Sequence, residues 1–374
     1  MNSLFFYGTL RHVPLLAIVL GRSAKDLNCR DAILPNHTVF WAKDQAFPMI
    51  MEGGQGAKGV LVCNLTDTDI ARLNFYEGGF DYELKPVKVR VDDQTAQTEV
   101  YFPEPGLWQP GAIWDIQDWV AHWGDMTLFA AKEVMGYYGQ YSAQELAQLF
   151  PMIRARATAK VNARNRNHAF SPSTFKDNDV QVHNVSRPYL DYFAIDEFDL
   201  SFRRYDGGQS EMVRRAVFMA TDAVIVLPYD PIRDRVLLIE QFRPGPYARG
   251  DRLPWQLEPI AGRVDAGERA EDTAHREAKE EAGLTLKALH EVAHCYASPG
   301  CSTEYYNIYI GLSDLPDTIE GVAGLASEAE DIQSYLFDFD ELMKLVDTMQ
   351  TVNAPLVLAA LWLARHRDRL RGDT

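Results

Sequence analysis

Residues 262–284, GRVDAGERAEDTAHREAKEEAGL, decide the fold of the C-terminal half of this 374-residue chain. Glu277, Glu280 and Glu281 recur there at spacings of three and four, which places them on one face of a helix. Like charges at these spacings destabilise an isolated helix. A solvated acidic surface is the ordinary explanation of such a cluster, and a site for a bound cation is the alternative that explains why the repulsion is tolerated.

The loop and the helix around these glutamates can be placed from the sequence. Gly262 precedes the loop RVDAG, and a helix is predicted from Glu268 to Ala282 with Gly283 as its left-handed C-terminal cap. We expect Arg276 to point away from the three glutamates. Three carboxylates within one turn raise each other's pKa unless a positive charge lies among them. Hard divalent cations such as Mg²⁺ take oxygen ligands and bridge to phosphates, so the pattern favours a metal site.

Read as G-x5-E-x7-R-E-x-x-E-E-x-G-L, the same stretch resembles the Nudix box. The matching positions are Gly262, Glu268, Arg276, Glu277, Glu280, Glu281, Gly283 and Leu284. Ala278 departs from the pattern, since the family has a larger aliphatic residue at this packing position. So many specified positions at fixed spacing make the motif a specific signal.

The Nudix resemblance implies an enzyme that hydrolyses a diphosphate linked to another group. It implies that Mg²⁺, with Mn²⁺ as the alternative, is bound by the main-chain carbonyl of Ala261 and by the side chains of Glu277, Glu280 and Glu281. It also implies that the Glu268–Arg276 pair holds the loop against the helix, with Gly262 and Gly283 in structural roles.

Residues from about 186 to 371 resemble the ADP-ribose pyrophosphatase branch of that family. The segments that carry this resemblance are RRYDGGQSEMVRRAVF, VLPYDPIRDRVLLIEQFR, LEPIAGRVDAGE, ASPGCSTE and GLASEAEDI. Pro299 lies sixteen positions after Gly283, as in members specific for ADP-ribose. The resemblance implies that Glu328 is the general base, that Glu330 is another metal ligand, and that Arg243 and Glu304 contact the substrate.

The implied reaction converts ADP-ribose and water into AMP and ribose 5-phosphate, and a homodimer that exchanges N-terminal strands is expected. Hydrolysis of another nucleoside diphosphate sugar is one alternative, and a non-catalytic metabolite sensor is a second. The complete set of Glu277, Glu280 and Glu281 argues against the sensor, because a sensor has no need of the metal ligands.

The N-terminal segments FFYGTLR and LNFYEGGFDYE resemble the γ-glutamylcyclotransferase-like family over residues 3–110. The resemblance implies that a γ-glutamyl group binds on the loop after the first strand, formed by Tyr7, Gly8, Thr9 and Leu10. Glu77 would move a proton from the α-amine, which attacks the side-chain carbonyl and releases 5-oxoproline. The arginine that often follows the later tyrosine by two positions is replaced by Leu84, and a catalytically silent binding domain is the alternative.

The chain is predicted to be an α+β protein of two domains. Residues 1–112 form a small mixed β-barrel-like cyclotransferase domain, 113–185 a helical connector and linker, and 186–374 a Nudix α/β/α sandwich with a mixed sheet. Residues 164–185 are polar and poorly periodic, so they are predicted to be a connecting segment. This domain order resembles a group of bacterial fusion proteins associated with tellurite resistance.

The predicted helices between residues 115 and 163 carry two local signals. Ser142 and Glu145 have the spacing of a capping box. Arg156, Lys160 and Arg164 recur every fourth residue and predict one basic helical face. Contact with an acidic neighbouring domain, or simple solvation, is favoured for this face over nucleic-acid binding.

Composition limits the partners and the compartment. The net charge of −16 disfavours nucleic acid as a partner, because phosphate would be repelled. The four cysteines show no disulfide-like pattern, which suits a reducing cytoplasm. The apolar segment PLLAIVLG is far shorter than the roughly 18 residues of a membrane span, so no membrane association is expected.

Overall fold

The computed structural model describes residues 2–78, 82–92, 94–166, 170–324 and 331–372. The chain forms two compact units, Met1–His168 and Ala169–Thr374. Both units combine helices with sheets, so the predicted α+β class with two domains is confirmed. No helix in the described ranges combines the length and the apolar character needed to cross a membrane.

The first unit is built on a closed β-barrel. Its strands are β1 (Asn2–Phe6), β2 (Asn28–Leu34), β3 (His37–Ala42), β4 (Pro48–Glu52), β5 (Ala57–Leu65), β6 (Tyr82–Val91), β7 (Gln94–Pro103) and β8 (Pro110–Ile113). The barrel order is β1-β5-β2-β6-β7, with β1 parallel to β7 and the other pairs antiparallel. A second sheet has the order β4-β3-β8. The barrel-like fold predicted for this unit is confirmed.

The first unit also contains helices, and the sequence predicts where one of them begins. They are α1 (Val13–Leu20), α2 (Asp67–Glu77), α3 (Ile116–Trp119), α4 (Asp125–Gly136) and α5 (Ala143–Asn165). The predicted capping box starts α5: the Glu145 amide donates to Ser142 Oγ at 3.2 Å, and the Ser142 amide donates to Glu145 Oε2 at 2.7 Å. Helix α4 packs against α1, α2 and α5, so the helices predicted between residues 115 and 163 lie within the first unit.

One residue of the predicted basic face lies inside this helical layer. Arg156 is only 1% exposed, and its Nη2 lies 2.6 Å from Glu133 Oε1. The expectation that Arg156 belongs to a solvated or docking surface is therefore wrong, because α5 turns this side chain toward α4. The Arg164 guanidinium instead lies over the Phe129 ring, 4.6 Å from its centroid.

The second unit has a mixed sheet and a smaller antiparallel one. Its strands are β9 (Val180–Leu190), β10 (Ala194–Phe202), β11 (Val213–Met219), β12 (Asp222–Asp230), β13 (Arg235–Phe242), β14 (Trp255–Glu258), β15 (Ile260–Arg263), β16 (Ala288–Tyr296), β17 (Tyr305–Leu312), β18 (Val322–Ala323) and β19 (Ile332–Asp338). The large sheet has the order β16-β17-β12-β13-β19-β18, with β14 beside β13 and β15 beside β12. Strands β12 and β17 are parallel, which makes the sheet mixed.

Helices lie on both faces of the large sheet. They are α7 (Ala270–Ala282) on one face and α8 (Phe339–Asp347) and α9 (Ala354–Gly372) on the other, while the short α6 (Pro244–Arg249) follows β13. On β12, Val224 belongs to a core shared with Ala278 of α7, whereas the next residue, Ile225, belongs to a core shared with Leu356 of α9. Successive residues of a strand face opposite sides, so the predicted α/β/α sandwich is confirmed.

The predicted connecting segment ends earlier than expected. Residues 180–185 belong to β9, which pairs with β10 in the small sheet of order β11-β10-β9. The register shifts by one residue between the pairs of Asn184 and Val182, which indicates a bulge. A bulge breaks the two-residue period, and most β9 side chains are exposed. The sequence therefore lacks the alternation by which a strand is recognised.

Candidate active sites

Helix α7 ends where the sequence predicts and begins two residues later. Gly283 has a φ of 64°, and its amide donates to the Lys279 carbonyl at 3.0 Å. The Leu284 amide donates to the Ala278 carbonyl at 2.9 Å, which closes the cap. Ala278 itself is fully buried, so this position of the motif is a packing position.

An ion pair holds the loop before α7 against the helix. Arg276 Nε lies 2.9 Å from Glu268 Oε1, and Arg276 Nη2 donates to the main-chain carbonyl of Arg263 at 3.2 Å. Glu268 also accepts a bond from Thr273 Oγ1 at 2.8 Å. Burial raises the pKa of Glu268, but the bonds from Arg276 and Thr273 outweigh it and hold that pKa below its usual value.

The same guanidinium reaches two of the motif glutamates. Arg276 Nη1 lies 2.7 Å from Glu277 Oε1 and 3.0 Å from Glu280 Oε2. The expectation that Arg276 points away from the cluster is wrong. Arginine has five donors in a planar fork, so Nε and Nη2 can bind Glu268 while Nη1 binds the two other acids. The chain thus places a positive charge of its own among the glutamates.

Strand β15 runs against the glutamate face of α7. Glu281 is 2% exposed, and its Oε2 accepts a bond from the Ala261 amide at 3.2 Å. A Cβ atom on Gly262 would lie 1.9 Å from Glu277 Oε1, so only glycine leaves room for that carboxylate. The absence of a side chain at residue 262 is therefore what allows Glu277 to lie over the strand.

The donor chemistry at this site fits a hard divalent cation. Glu277, Glu280 and Glu281 offer carboxylate oxygens beside the strand that carries the Ala261 carbonyl, and Gly262 provides the space. Within the described residues, no three acidic, histidine or cysteine side chains converge as a ready metal cage. Arg276 contacts Glu277 and Glu280, and the Ala261 amide donates to Glu281.

A pocket of about 750 Å³ opens beside the glutamates. It brings together sequence-predicted and unpredicted residues, including Arg243, Glu258, Ala261, Gly262, Glu277, Glu280, Glu304, Tyr306 and Asn353. Glu281 is buried and is not among the residues that line the pocket. Glu328 and Glu330 lie outside the described residues, so their predicted roles stay predictions.

Two acids, Glu258 and Glu304, line the same pocket as Arg243. Arg243 follows β13 and binds Glu258, with Nε at 2.8 Å and Nη2 at 2.7 Å from Glu258 Oε1. Glu304 Oε2 accepts a bond from the Tyr306 hydroxyl at 3.2 Å. Burial raises the pKa of both Glu258 and Glu304. Sequence reasoning missed Glu258 and Tyr306, although an acid within the buried run LEPIAG was a usable signal.

The first unit has a smaller pocket of about 50 Å³. It is lined by every residue predicted for the cyclotransferase-like site: Tyr7, Gly8, Thr9, Leu10 and Glu77. Those residues come from the loop after β1 and from the last residue of α2. The remaining lining residues include Phe47, Tyr82 and Tyr101, and of these the sequence pointed only to Tyr82.

Glu77 is the acid of this pocket. Burial raises its pKa to about 7. Burial, and next the charge of Glu77, raise the pKa of Tyr7, so Tyr7 is neutral near pH 7 while Glu77 is close to half ionised there. The Tyr101 hydroxyl donates to Asn74 Oδ1 at 2.6 Å and is thereby fixed in the wall.

Comparison with known proteins identifies both units. The family model described as NUDIX domain matches residues 219–359, and the one described as gamma-glutamyl cyclotransferase, AIG2-like, matches residues 4–121. An ADP-ribose pyrophosphatase of Escherichia coli (strain K12) is 38% identical over 202 residues, which are 54% of this chain and 96% of that protein. The ADP-ribose pyrophosphatase of Haemophilus influenzae is 32% identical over 199 residues, covering 53% of this chain and 91% of that protein.

More distant similarities extend the comparison. A GDP-mannose pyrophosphatase of Escherichia coli O1:K1 is 28% identical over 174 residues, which are 46% of this chain and 88% of that protein. A solved structure of an ADP compounds hydrolase is 22% identical with a TM-score of 0.42, over 54% of this chain and 100% of that chain, and this likeness is too low to carry an argument. The chain therefore belongs to the Nudix family and is a diphosphatase, with an AIG2-like γ-glutamyl cyclotransferase domain ahead of its Nudix domain.

Proposed function

We propose that the Nudix unit hydrolyses ADP-ribose to AMP and ribose 5-phosphate in a reaction that depends on Mg²⁺ or Mn²⁺. The observation that carries this proposal is the 38% identity to an ADP-ribose pyrophosphatase over 96% of that protein. The pocket of about 750 Å³ lies within the roughly 300–1,000 Å³ of ligand sites and supports a dinucleotide-sized substrate. The lower similarity to a GDP-mannose pyrophosphatase makes another nucleoside diphosphate sugar the alternative substrate.

In the proposed reaction, the oxygen of a water molecule forms a bond to one phosphorus of the diphosphate. The bond from that phosphorus to the bridging oxygen breaks, and the bridging oxygen leaves on the other phosphate. Glu277, Glu280, Glu281 and the Ala261 carbonyl would hold the cation, which screens the phosphate charge and stabilises the leaving group. Glu328 would accept the proton of the water, and Glu330 would assist in holding the cation.

The described residues have supporting tasks in this reaction. Arg276 keeps Glu277 and Glu280 on the pocket side of α7 and ties the loop to the helix through Glu268. Arg243 and Glu304 would contact the substrate, since they line the same pocket as Glu277 and Glu280.

The test is to incubate the protein with ADP-ribose, GDP-mannose and other nucleotide sugars, with and without Mg²⁺, and to measure AMP. We expect AMP from ADP-ribose only with the cation, and a loss of about a hundredfold or more in kcat for Glu281→Gln. Asp272→Asn, an exposed acid on the same helix, is the matched control and should keep its activity. Equal turnover by Glu281→Gln would refute the assignment.

We infer a second activity for the first unit, the release of 5-oxoproline from a γ-glutamyl amine. A pKa of about 7 supports this role of Glu77, because a proton carrier works best when its pKa is near the working pH. Glu77 would take a proton from the substrate ammonium, and the freed amine would form a bond to the side-chain carbonyl carbon. The bond from that carbon to the leaving amine breaks, and Glu77 returns its proton to the leaving nitrogen.

This activity can be tested with a panel of γ-glutamyl compounds. We expect release of 5-oxoproline by the wild type and none by Glu77→Gln. Glu83→Gln changes an acid whose side chain is 72% exposed, and it should behave like the wild type. No release from any compound would favour the catalytically silent binding domain.

We also propose that the protein forms a homodimer through its second unit. The small sheet exposes apolar side chains in support of this, among them Val182 at 51% and Tyr189 at 53%. Light scattering of the full chain should give twice the mass of 42.3 kDa. A monomer at micromolar concentration would contradict the proposal.

A further inference from the structure

We propose that Glu258 is a positioning residue that fixes the guanidinium of Arg243 in the substrate pocket and ties it to the start of helix α9. This inference rests on the proposed hydrolase function of the Nudix unit. It concerns the part of the pocket wall between β13 and α6, where Arg243 lies.

The Glu258 side chain is held from two sides, by Arg243 and by Asn353. Both bonds from Arg243, from Nε at 2.8 Å and from Nη2 at 2.7 Å, reach the same oxygen, Oε1. The other oxygen, Oε2, accepts a bond from Asn353 Nδ2 at 3.2 Å. Because Nε and Nη2 both lie beside Oε1, this edge of the Arg243 guanidinium is held against Glu258.

The two partners are unequally buried. Glu258 is 5% exposed, whereas the Arg243 side chain is 38% exposed toward the pocket and solvent. A buried carboxylate without a partner is costly, so Glu258 holds Arg243 firmly. Arginine has five donors, and Glu258 takes two of them. Among the described residues nothing else binds the Arg243 side chain, and both hydrogens of Nη1 are left for a substrate.

Asn353 connects this pair to α9. Its Oδ1 accepts a bond from the Leu356 amide at 2.9 Å, which caps the helix, while its Nδ2 binds Glu258. Residues 352–355 line the same pocket. The Arg243–Glu258–Asn353 network therefore joins three parts of the pocket wall, namely the end of β13, the end of β14 and the first turn of α9.

A positioning role predicts a specific kinetic pattern. In Glu258→Gln the carboxylate charge is lost, so the Arg243 guanidinium is no longer fixed, and the KM for ADP-ribose should rise by about tenfold with kcat within about threefold. Arg243→Ala should raise KM at least as much. The double variant should be no worse than Arg243→Ala within about twofold, because Glu258 acts only through Arg243.

Asp230→Asn is the matched control for a merely structural effect. Asp230 is a buried acid of the same unit at 1% exposure, it binds Arg233 Nη1 at 2.7 Å, and it is not part of the pocket. Asp230→Asn should lower the unfolding midpoint and leave KM unchanged, whereas Glu258→Gln should raise KM. A similar rise in KM for Asp230→Asn would overturn the proposal.

A second variant covers the case in which Glu258→Gln does not fold. Asn353→Asp keeps an oxygen that caps α9, since aspartate is as good a cap as asparagine, but it removes the donor to Glu258 and adds a like charge. We expect a KM increase of about threefold or more. An unchanged KM in Asn353→Asp, or effects of Arg243→Ala and Glu258→Gln that multiply in the double variant, would refute the network.

The hydrolase function and the role of Glu258 can be refuted separately. If the wild type releases no AMP from ADP-ribose, the proposed function is wrong, and the same variants are then measured with the nucleotide sugar that the wild type does cleave. If the wild type cleaves ADP-ribose and Glu258→Gln has the same KM, the hydrolase function stands and the role of Glu258 is refuted.

Discussion

Replacing Glu77 by glutamine should stabilise the first unit near pH 8 and have little effect near pH 4.5. The folded protein raises the pKa of Glu77 from 4.5 to about 7 by burial. Between these values the unfolded chain ionises this residue while the folded one keeps it protonated, so stability is lost as the pH rises through that window. Above pH 7 Glu77 is ionised in both states, so the free-energy cost of burying its charge no longer changes with pH. Glutamine resembles the protonated acid and does not ionise, so the variant avoids the penalty.

The size of the effect follows from the pKa. At about 1.36 kcal/mol per pH unit, a change from 4.5 to about 7 corresponds to roughly 3 kcal/mol. Glu77 keeps partial contact with solvent through the pocket, which screens the charge and lowers the expected gain to about 2 kcal/mol. Near pH 4.5 the folded protein keeps Glu77 protonated and about half of the unfolded chains are ionised at this residue, so the expected difference is below about 0.5 kcal/mol.

Urea unfolding followed by tryptophan fluorescence is a suitable assay. Five of the seven tryptophans lie in the first unit, at positions 41, 108, 114, 119 and 123, so the signal reports mainly on that unit. Glu83→Gln is the control, since its exposed carboxylate should give no such dependence on pH. A Glu77→Gln variant that is less stable than the wild type near pH 8, or equally stabilised at both pH values, would refute the burial of this acid.

Three further predictions concern other contacts. Gly262→Ala should lower kcat for AMP release by about tenfold or more, because its Cβ would meet Glu277 Oε1 at 1.9 Å, whereas Gly321→Ala, with open space around it, should not. Arg156→Met should lower the free energy of unfolding in urea by roughly 3–5 kcal/mol by leaving Glu133 buried without this arginine, and adding Glu133→Leu should restore most of the loss. Treatment with EDTA should abolish AMP release, and excess Mg²⁺ should restore it; activity in EDTA would contradict the metal dependence.

Features set by neighbouring residues along the chain were predictable. The cap at Gly283, the capping box of Ser142 and Glu145 and the cap of α9 at Asn353 all depend on residues within six positions of each other. The Nudix box is of the same kind, since its fixed spacings place the glutamates on one helical face.

Contacts between distant parts of the chain were not predictable. Glu258 and Asn353 are 95 positions apart, and Arg156 and Glu133 are 23 apart, so only the packing of the elements brings them together. Arg276 was misjudged because the helical face of its Cα was considered and the reach of its long side chain was not. The pKa of Glu77 depends on burial by Tyr82 and Tyr101, which enter the pocket from later strands.

The bonds from Arg276 to Glu277 and Glu280 have a consequence for handling the enzyme. In small zinc domains the ion is part of the folding free energy, and chelators unfold them. Here an internal guanidinium already offsets the acidic repulsion on α7, so the helix has a counter-charge that dialysis cannot remove. Stripping and reloading the protein with different cations should therefore be reversible, which allows the ions to be compared on a single preparation.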